Sequence, residues 1–148
     1  KAKSNPTKNY NFDTEFIEDL FERTYGGDVF FVLSLFYPDL DYFNQNFHVD
    51  HIHPQTLFKR KNSPYSAMIK RVGKNWNKLG NLQLLNSELN TAKSDNDLAT
   101  WVKNNGISKK RLFIDESVSL DFSDFEEFYT NRVLNMKEHL RTILNDKW

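Results

Sequence analysis

The sequence of 148 residues contains no cysteine. This absence excludes disulfides and Cys-x-x-Cys zinc knuckles, so side-chain packing alone must hold any functional site together. Aromatic residues are abundant instead, at 15% of the chain with 13 phenylalanines, and most of these must be buried. A chain of this length with 39% hydrophobic residues can bury one sizeable core. We therefore expect residues 1–148 to form a single domain.

Long apolar stretches are also absent. The longest, residues 29–37, is interrupted by Ser34 and is far shorter than the roughly 20 residues that a membrane-spanning helix needs. No basic amino-terminal region followed by an apolar stretch indicates export. We therefore expect no membrane association and a cytoplasmic location.

The net charge is zero, because 20 basic residues balance 20 acidic ones, yet the charges are unevenly placed. Residues 59–78 contain seven basic residues and no acidic one, whereas six acidic residues lie between positions 115 and 127. The seven basic residues are Lys59, Arg60, Lys61, Lys70, Arg71, Lys74 and Lys78. A charged loop is often merely solvated, but this one connects two blocks of candidate site residues. We therefore expect it to face the phosphates of a nucleic acid.

Three blocks of polar residues follow one another in the middle of the chain. Residues 47–55 supply an acid and a histidine, and residues 79–85 and 90–95 supply one asparagine each. These four residues are Asp50, His51, Asn81 and Asn90. Hydrolysis of a phosphodiester needs a general base to deprotonate water and a cation to stabilise charge on the phosphoryl oxygens. The blocks contain the side chains for both tasks.

The same four residues stand in the order of the HNH motif of the ββα-metal nucleases. The sequence resembles HNH domains that read Asp-His-Ile-x-Pro-Gln, then Asn-Leu, then Asn-x-x-Lys-Ser-Asp. The resemblance implies a strand carrying Asp-His, a loop, a second strand and a helix, and we predict an α+β, mostly helical fold around this ββα-metal core. The predicted parts are the core, residues 47–100, and the helical flanks, residues 10–46 and 107–148.

The flanks are similar to the HNH half of GmrSD-type modification-dependent restriction proteins. The similarity lies in the apolar segment that ends at Pro38 and in Phe-Glu-Glu-Phe-Tyr-Thr-Asn-Arg at residues 125–132. It implies a partner half, an NTPase with a ParB-like fold, and attack on foreign or modified DNA. The chain starts at Lys1 and its first methionine is Met68, so it is either processed or cut from a longer polypeptide. Because the family couples two halves, we expect the carboxy-terminal part of a longer protein.

Each residue of the motif has a predicted task. His51 is the predicted general base, and the resemblance assigns to Asn81 the orientation of the site and the holding of its loop. Asp50 and Asn90 are the predicted ligands of one divalent cation, with Mg²⁺ favoured by oxygen ligands and Mn²⁺ or another divalent ion as the alternative. A regular strand sends Asp50 and His51 to opposite faces, so we expect the strand to twist off or bulge there.

Three further residues are candidates for contacts at the site. His48 precedes the acid by two residues, which makes it a candidate third metal ligand or phosphate contact. His53 is a candidate phosphate donor at the periphery, and Lys93 either contacts a backbone phosphate or is solvated. We expect no functional role for His139 in the terminal helix.

Sequence periodicity predicts the surrounding secondary structure. We expect a loose terminus at residues 1–9, a helix in residues 13–25, a fully buried helix in residues 28–37, strands in residues 47–54 and 81–85, and later helices in residues 87–93, 97–106 and 120–144. Asn86 is the predicted cap of the helix at residues 87–93, and Ser94 with Asp97 is predicted to form a capping box for the next helix.

These features together predict a metal-dependent DNA endonuclease that acts in bacterial defence. Two alternatives stay open: a catalytically silent module for DNA binding or assembly, and a nuclease or toxin directed at RNA. A single site cuts one strand, so a double-strand break would need a second copy, a dimer or repeated nicking.

Overall fold

The computed structural model describes residues 6–94 and 96–146, and its fold is α+β, as predicted. The α-helices in that part of the chain are α1 (Pro6–Phe21), α2 (Val29–Ser34), α3 (Gln55–Lys59), α4 (Ser66–Val72), α5 (Ser87–Lys93), α6 (Leu98–Asn105) and α7 (Phe125–Asp146). The strands are β1 (Phe47–His51) and β2 (Leu82–Asn86), and short 3₁₀ helices occur at Gly73–Asn77, Leu79–Asn81 and Phe122–Asp124. Within the described residues, every helix is too short or too polar to cross a bilayer.

The two strands form an antiparallel sheet with a regular register. Phe47 lies opposite Asn86 at one end, and His51 lies opposite Leu82 at the other. The register has no extra residue at Asp50, so a bulge there was a wrong prediction. β1 instead ends at His51, in line with the other expectation, that the strand turns away there.

Helix α5 follows β2 directly and packs against both strands. The Asn86 side chain accepts a hydrogen bond of 2.8 Å from a backbone N–H in the first turn of α5, which confirms the predicted cap. Asp97 alone caps α6 with its side chain, whereas Ser94 is the residue that ends α5. The predicted capping box was therefore wrong in its first member. Gly106 closes α6 in the left-handed conformation, with φ of 61°.

The apolar core consists of two clusters of buried side chains. One cluster joins α1, α2, β2 and α7, and the other joins α3, α4, α6, the segment after α6 and the first turn of α7. β2 contributes Leu82 and Leu84 to the first cluster and Leu85 to the second, because side chains alternate between the faces of a strand. The sheet is thus covered on both faces, which fixes the position of the strand ends.

Arg132 of α7 holds the turn that leads into β2. Its guanidinium is fully buried and donates to the carbonyls of Leu112 at 2.8 Å, Gly80 at 3.0 Å and Leu79 at 3.3 Å. It also donates to the Tyr37 hydroxyl at 3.2 Å. Burial lowers the pKa of this guanidinium from its ordinary value. Because a guanidinium has five N–H donors, it can still bond to several segments at once.

Two predicted helices differ from the structure. α1 begins at Pro6, well before the predicted start, and the first five residues of the predicted loose terminus lie outside the described part of the chain. α2 is short and only half-buried, because Val32 and Leu33 face the core while Phe31 is 68% exposed. Full burial of α2 was therefore a wrong prediction.

Candidate active site

A cavity open to solvent lies at the end of β1. Its lining consists of Tyr25, Val49, Asp50, His51, Pro54, Gln55, Thr56, Trp76, Asn77 and Ser94. The cavity therefore combines a carboxylate, an imidazole, two aromatic rings and several amide and hydroxyl groups from separate segments. Asp50 and His51 meet in it even though they point to different sides of β1.

His51 is held on several sides. Its Nε2 lies 2.8 Å from Oδ1 of Asn77, and its ring stacks on that of Tyr25 with centroids 5.1 Å apart and an interplanar angle of 16°. The Trp76 ring lies tilted against it at 5.4 Å. The partner of the imidazole is thus an amide side chain. Asn77 therefore engages Nε2 and leaves Nδ1 as the other ring nitrogen of this histidine.

Asp50 is bonded to neighbours inside the protein. Its Oδ2 accepts a hydrogen bond of 3.0 Å from Gln83, and Nζ of Lys93 lies 3.2 Å from the same oxygen. Oδ1 has a longer contact of 3.5 Å with Nζ, so it keeps acceptor capacity towards the cavity. Burial raises the pKa of Asp50, and the charge of Lys93 and the bond from Gln83 oppose that change.

Gln83 connects Asp50 to a second cation. Its side chain is fully buried and accepts from Nη1 of Arg111 at 3.0 Å while it donates to Asp50. Arg111 also donates to the Leu84 carbonyl at 3.0 Å and lies over the Tyr37 ring. A continuous row of hydrogen bonds thus fixes the orientation of the Asp50 carboxylate.

Asn81 is fully buried beneath the loop that follows β1. Its Oδ1 accepts from the backbone N–H of His53 at 3.0 Å, and its Nδ2 donates to the carbonyls of His53 at 3.1 Å and Trp76 at 2.8 Å. These are the contacts of a residue that holds loops in place, the task that the resemblance implies. Asn81 acts on two backbone segments that line the cavity.

Asn90 and His48, the other predicted metal ligands, are not among the described residues that line the cavity. Asn90 is half-buried in the middle of α5, and His48 is exposed with Nε2 3.1 Å from Oγ of Ser87. No group of three His, Cys, Asp or Glu side chains in residues 6–94 and 96–146 is arranged to hold a metal ion. A cation would therefore depend on Asp50 with neutral oxygen atoms and water, which fits a hard ion such as Mg²⁺.

Lys93 and His53 were assigned wrongly as phosphate contacts. Both side chains are fully buried, Lys93 beside Asp50 and His53 among phenylalanine rings. Lys93 lies in the last turn of α5, and the packing of this helix onto both strands encloses the ammonium. Burial, together with the charge of Lys93, lowers the pKa of His53 to about 3, so this histidine is neutral.

The basic segment, residues 59–78, is largely exposed but is not the loop that was predicted. It contains α4 and the 3₁₀ helix before Lys78. Two of its cations are paired, Arg71 with Glu126 at 2.5 Å and Lys78 with Glu22 at 2.7 Å. The exposed residues outside these pairs are Lys59, Arg60, Lys61, Lys70 and Lys74. The basic surface that can meet phosphates is therefore smaller than the sequence indicates.

Several residues that shape the site had no predicted role. Gln83 carried a weak signal, as a polar residue within the apolar run of β2. Asn77 and Tyr25 carried none, because each reaches the cavity through the folding of a distant segment.

An acid and a histidine beside an open cavity, at the end of a short antiparallel pair of strands, define a candidate hydrolase site. The family model of the C-terminal domain of GmrSD restriction endonucleases matches residues 7–143, so the chain belongs to this family. Membership indicates a restriction endonuclease role, and with it nuclease activity. Among curated proteins none matches the chain.

Proposed function

We propose that this chain is a metal-dependent DNA endonuclease domain of the HNH type, acting in bacterial defence against foreign or modified DNA. In this proposal β1, β2 and α5 form a ββα-metal core, and residues 1–148 act as one domain. The observation that carries it is the presence of Asp50 and His51 in one cavity of a chain that belongs to a restriction endonuclease family.

His51 acts as the general base in the proposed reaction. Nδ1 of the neutral imidazole takes a proton from water, and the resulting hydroxide attacks phosphorus as the bond to the 3′ oxygen breaks. The leaving 3′ oxygen takes a proton from solvent, and the imidazolium returns its proton to solvent. The products carry a 5′-phosphate and a 3′-hydroxyl. Tyr25 and Trp76 pack on the ring and keep it at the wall of the cavity. Asn81 holds the loops on which these groups lie.

Asp50 and Asn90 would hold one divalent cation, most favourably Mg²⁺, with His48 as a candidate third ligand. When bound, such an ion supplies positive charge for the phosphoryl oxygens and the leaving oxygen. Asp50 fits this task because its Oδ1 keeps acceptor capacity at the cavity. Asn90 would reach the ion by a displacement of α5 or through a water, since its side chain does not line the cavity within the described residues.

The proposed partners are DNA, at the exposed lysines and arginine of residues 59–78, and an NTPase half with a ParB-like fold. Contacts of basic side chains with phosphates position a nucleic acid but carry no sequence information. Recognition of modified DNA would therefore depend on the partner half.

Cleavage of supercoiled plasmid in Mg²⁺ or Mn²⁺ tests the proposal. The wild-type protein should nick the plasmid, whereas His51→Ala and Asp50→Asn should not. Asp39→Asn, which removes an exposed carboxylate away from the cavity, is the matched control and should keep wild-type activity.

The alternatives have different outcomes in the same assay. DNA binding in a gel-shift experiment without nicking in any metal would favour the silent module. Cleavage of RNA with an intact plasmid would favour the RNA-directed nuclease. Nicking that survives in His51→Ala would contradict the assignment of the base.

A further inference from the structure

Asn77 makes two contacts beside His51. Its side chain contacts the imidazole itself, and its backbone contacts Tyr25, whose ring stacks on that imidazole. Its Oδ1 lies 2.8 Å from His51 Nε2, and its carbonyl accepts a hydrogen bond of 3.0 Å from the backbone N–H of Tyr25. The isolated bridge between Thr24 and Lys78 continues this connection. One residue therefore joins the segment after α1 to the imidazole at the end of β1.

The bond to His51 determines which ring nitrogen carries hydrogen. The carbonyl oxygen of the Asn77 amide can only accept, so Nε2 of His51 must donate and must be protonated. In a neutral imidazole the proton is then absent from Nδ1, which keeps a lone pair. The tautomer of a histidine is commonly set by the partner of its other nitrogen.

We propose that Asn77 is a positioning residue that holds His51 in the tautomer with hydrogen on Nε2 and directs Nδ1 to the substrate water. The inference rests on the proposed function, in which His51 is the base. Asn77 touches neither water nor DNA in this role; it acts through the imidazole. The stacked Tyr25 ring limits rotation of the same imidazole, so the amide and the aromatic ring fix it together.

Substitution of the side chain isolates this role, because the bond from Tyr25 to the backbone of residue 77 is retained. Asn77→Leu has similar size and removes the acceptor, whereas Asn77→Asp keeps an acceptor oxygen at the same position. Asn75→Leu is the matched control. Asn75 lies in the same 3₁₀ helix, and in the described part of the chain its side chain neither lines the cavity nor makes a hydrogen bond.

Long-range ¹H–¹⁵N NMR of the histidine side chains reads the tautomer directly, and the chain has only four histidines to assign. The wild-type His51 should show hydrogen on Nε2. Asn77→Leu should give a mixture of tautomers and lower kcat for plasmid nicking by about 10- to 100-fold with little change in KM. Asn77→Asp should restore the single tautomer and most of kcat, and Asn75→Leu should match the wild type.

Hydrogen on Nδ1 in the wild type would overturn the proposal, and so would an Asn77→Leu protein with unchanged tautomer and kcat. If the leucine variant does not fold, the wild-type spectrum decides alone, because a neutral His51 with hydrogen on Nδ1 would refute the role. A wild-type protein that cuts no DNA would refute the proposed function, while the spectra would still test the contact between Asn77 and His51.

Discussion

Lys93 and Asp50 form a buried ion pair at the edge of the candidate site. Nζ lies 3.2 Å from Oδ2, and the two side chains are 1% and 11% exposed. Lys93 also donates to the His51 carbonyl at 2.9 Å. The Asp50 carboxylate, which we propose as a metal ligand, is thus already paired with the ammonium group of Lys93. A divalent ion has to share Asp50 with this ammonium, and the repulsion between the two cations should limit its affinity.

Replacing Lys93 with methionine should destabilise the metal-free protein by about 3–5 kcal/mol, because the Asp50 carboxylate stays buried without its cation. Mg²⁺ should then raise the free energy of unfolding more in the variant than in the wild type, since no ammonium repels the ion. Urea unfolding with and without Mg²⁺ measures both effects. The double variant Lys93→Met, Asp50→Leu is the control and should lose the Mg²⁺ response. An equal response in Lys93→Met and wild type would contradict competition for the carboxylate.

Replacing Arg132 with methionine should lower the free energy of unfolding by about 3 kcal/mol or more. The substitution removes the guanidinium donor from the buried carbonyls of Gly80 and Leu112, whereas the Leu79 carbonyl keeps a bond from the backbone N–H of Leu82. Each buried group left unsatisfied costs about 1–3 kcal/mol. Arg60→Met, at an exposed position, should stay within about 0.5 kcal/mol of the wild type. Urea denaturation of both variants tests this. A similar loss in the two would show that the buried guanidinium contributes no more than a surface one.

His53 should make the protein sensitive to mild acid. Its ring is fully buried against Phe125 and Phe128, and neither ring nitrogen has a hydrogen-bond partner among the described residues. Burial and the nearby charge of Lys93 lower its pKa to about 3, although Asp97 acts in the opposite direction. The unfolded chain therefore binds this proton at a higher pH than the folded protein does. The stabilising contribution is complete above the unfolded pKa near 6.5 and is lost progressively as the pH falls towards 3.

Between pH 6.5 and pH 5 this difference amounts to about 2 kcal/mol. His53→Leu keeps an apolar side chain in the pocket and should remove that part of the pH dependence. Urea unfolding at several pH values compares the slopes of wild type and variant. The raised pKa of Asp50 has the opposite sign but is common to both proteins, so the difference isolates His53. Parallel slopes would mean that His53 is protonated, or reaches solvent, in the folded state.

The elements that depend on short-range signals were predictable from the sequence. An asparagine before a polar turn predicts a helix start, and Asn86 caps α5 at that place. The resemblance to HNH domains likewise implied that Asp50 and His51 lie on a strand that leads into a loop, and β1 ends at His51. These features follow from neighbouring residues, which the sequence displays directly.

The remaining features depend on contacts between distant segments. Lys93 lies in a short polar helix with nothing nearby in sequence to indicate burial, and only the packing of α5 on the sheet brings it to Asp50. Asn77 lies 26 residues from His51, so the hydrogen bond that they share has no local signature. Phe31 was predicted to be buried but is exposed. An apolar run predicts burial on all sides, whereas this helix faces the core on one side only.

Glu126 should restrain DNA binding by the basic segment. Its carboxylate is paired with Arg71, at 2.5 Å from Nη2, and the hydrogen bond and charge of this arginine lower the pKa of the glutamate. Glu126→Gln should release Arg71 for a phosphate, so affinity for duplex DNA should rise and its salt dependence should steepen by about 0.9 in the slope of log K against log salt. Fluorescence anisotropy over a range of salt concentrations measures that slope.

Glu127→Gln is the matched control, because this exposed neighbour removes the same formal charge, and among the described residues its carboxylate forms no ion pair. It should raise the overall affinity only slightly and leave the slope unchanged. Lys59→Gln with Lys61→Gln should reduce the slope by up to about 0.9 for each phosphate that the variant no longer neutralises. If Glu126→Gln and Glu127→Gln change the slope equally, the pairing with Arg71 is not what limits binding, and general repulsion of DNA by the acidic residues near the start of α7 would explain both results.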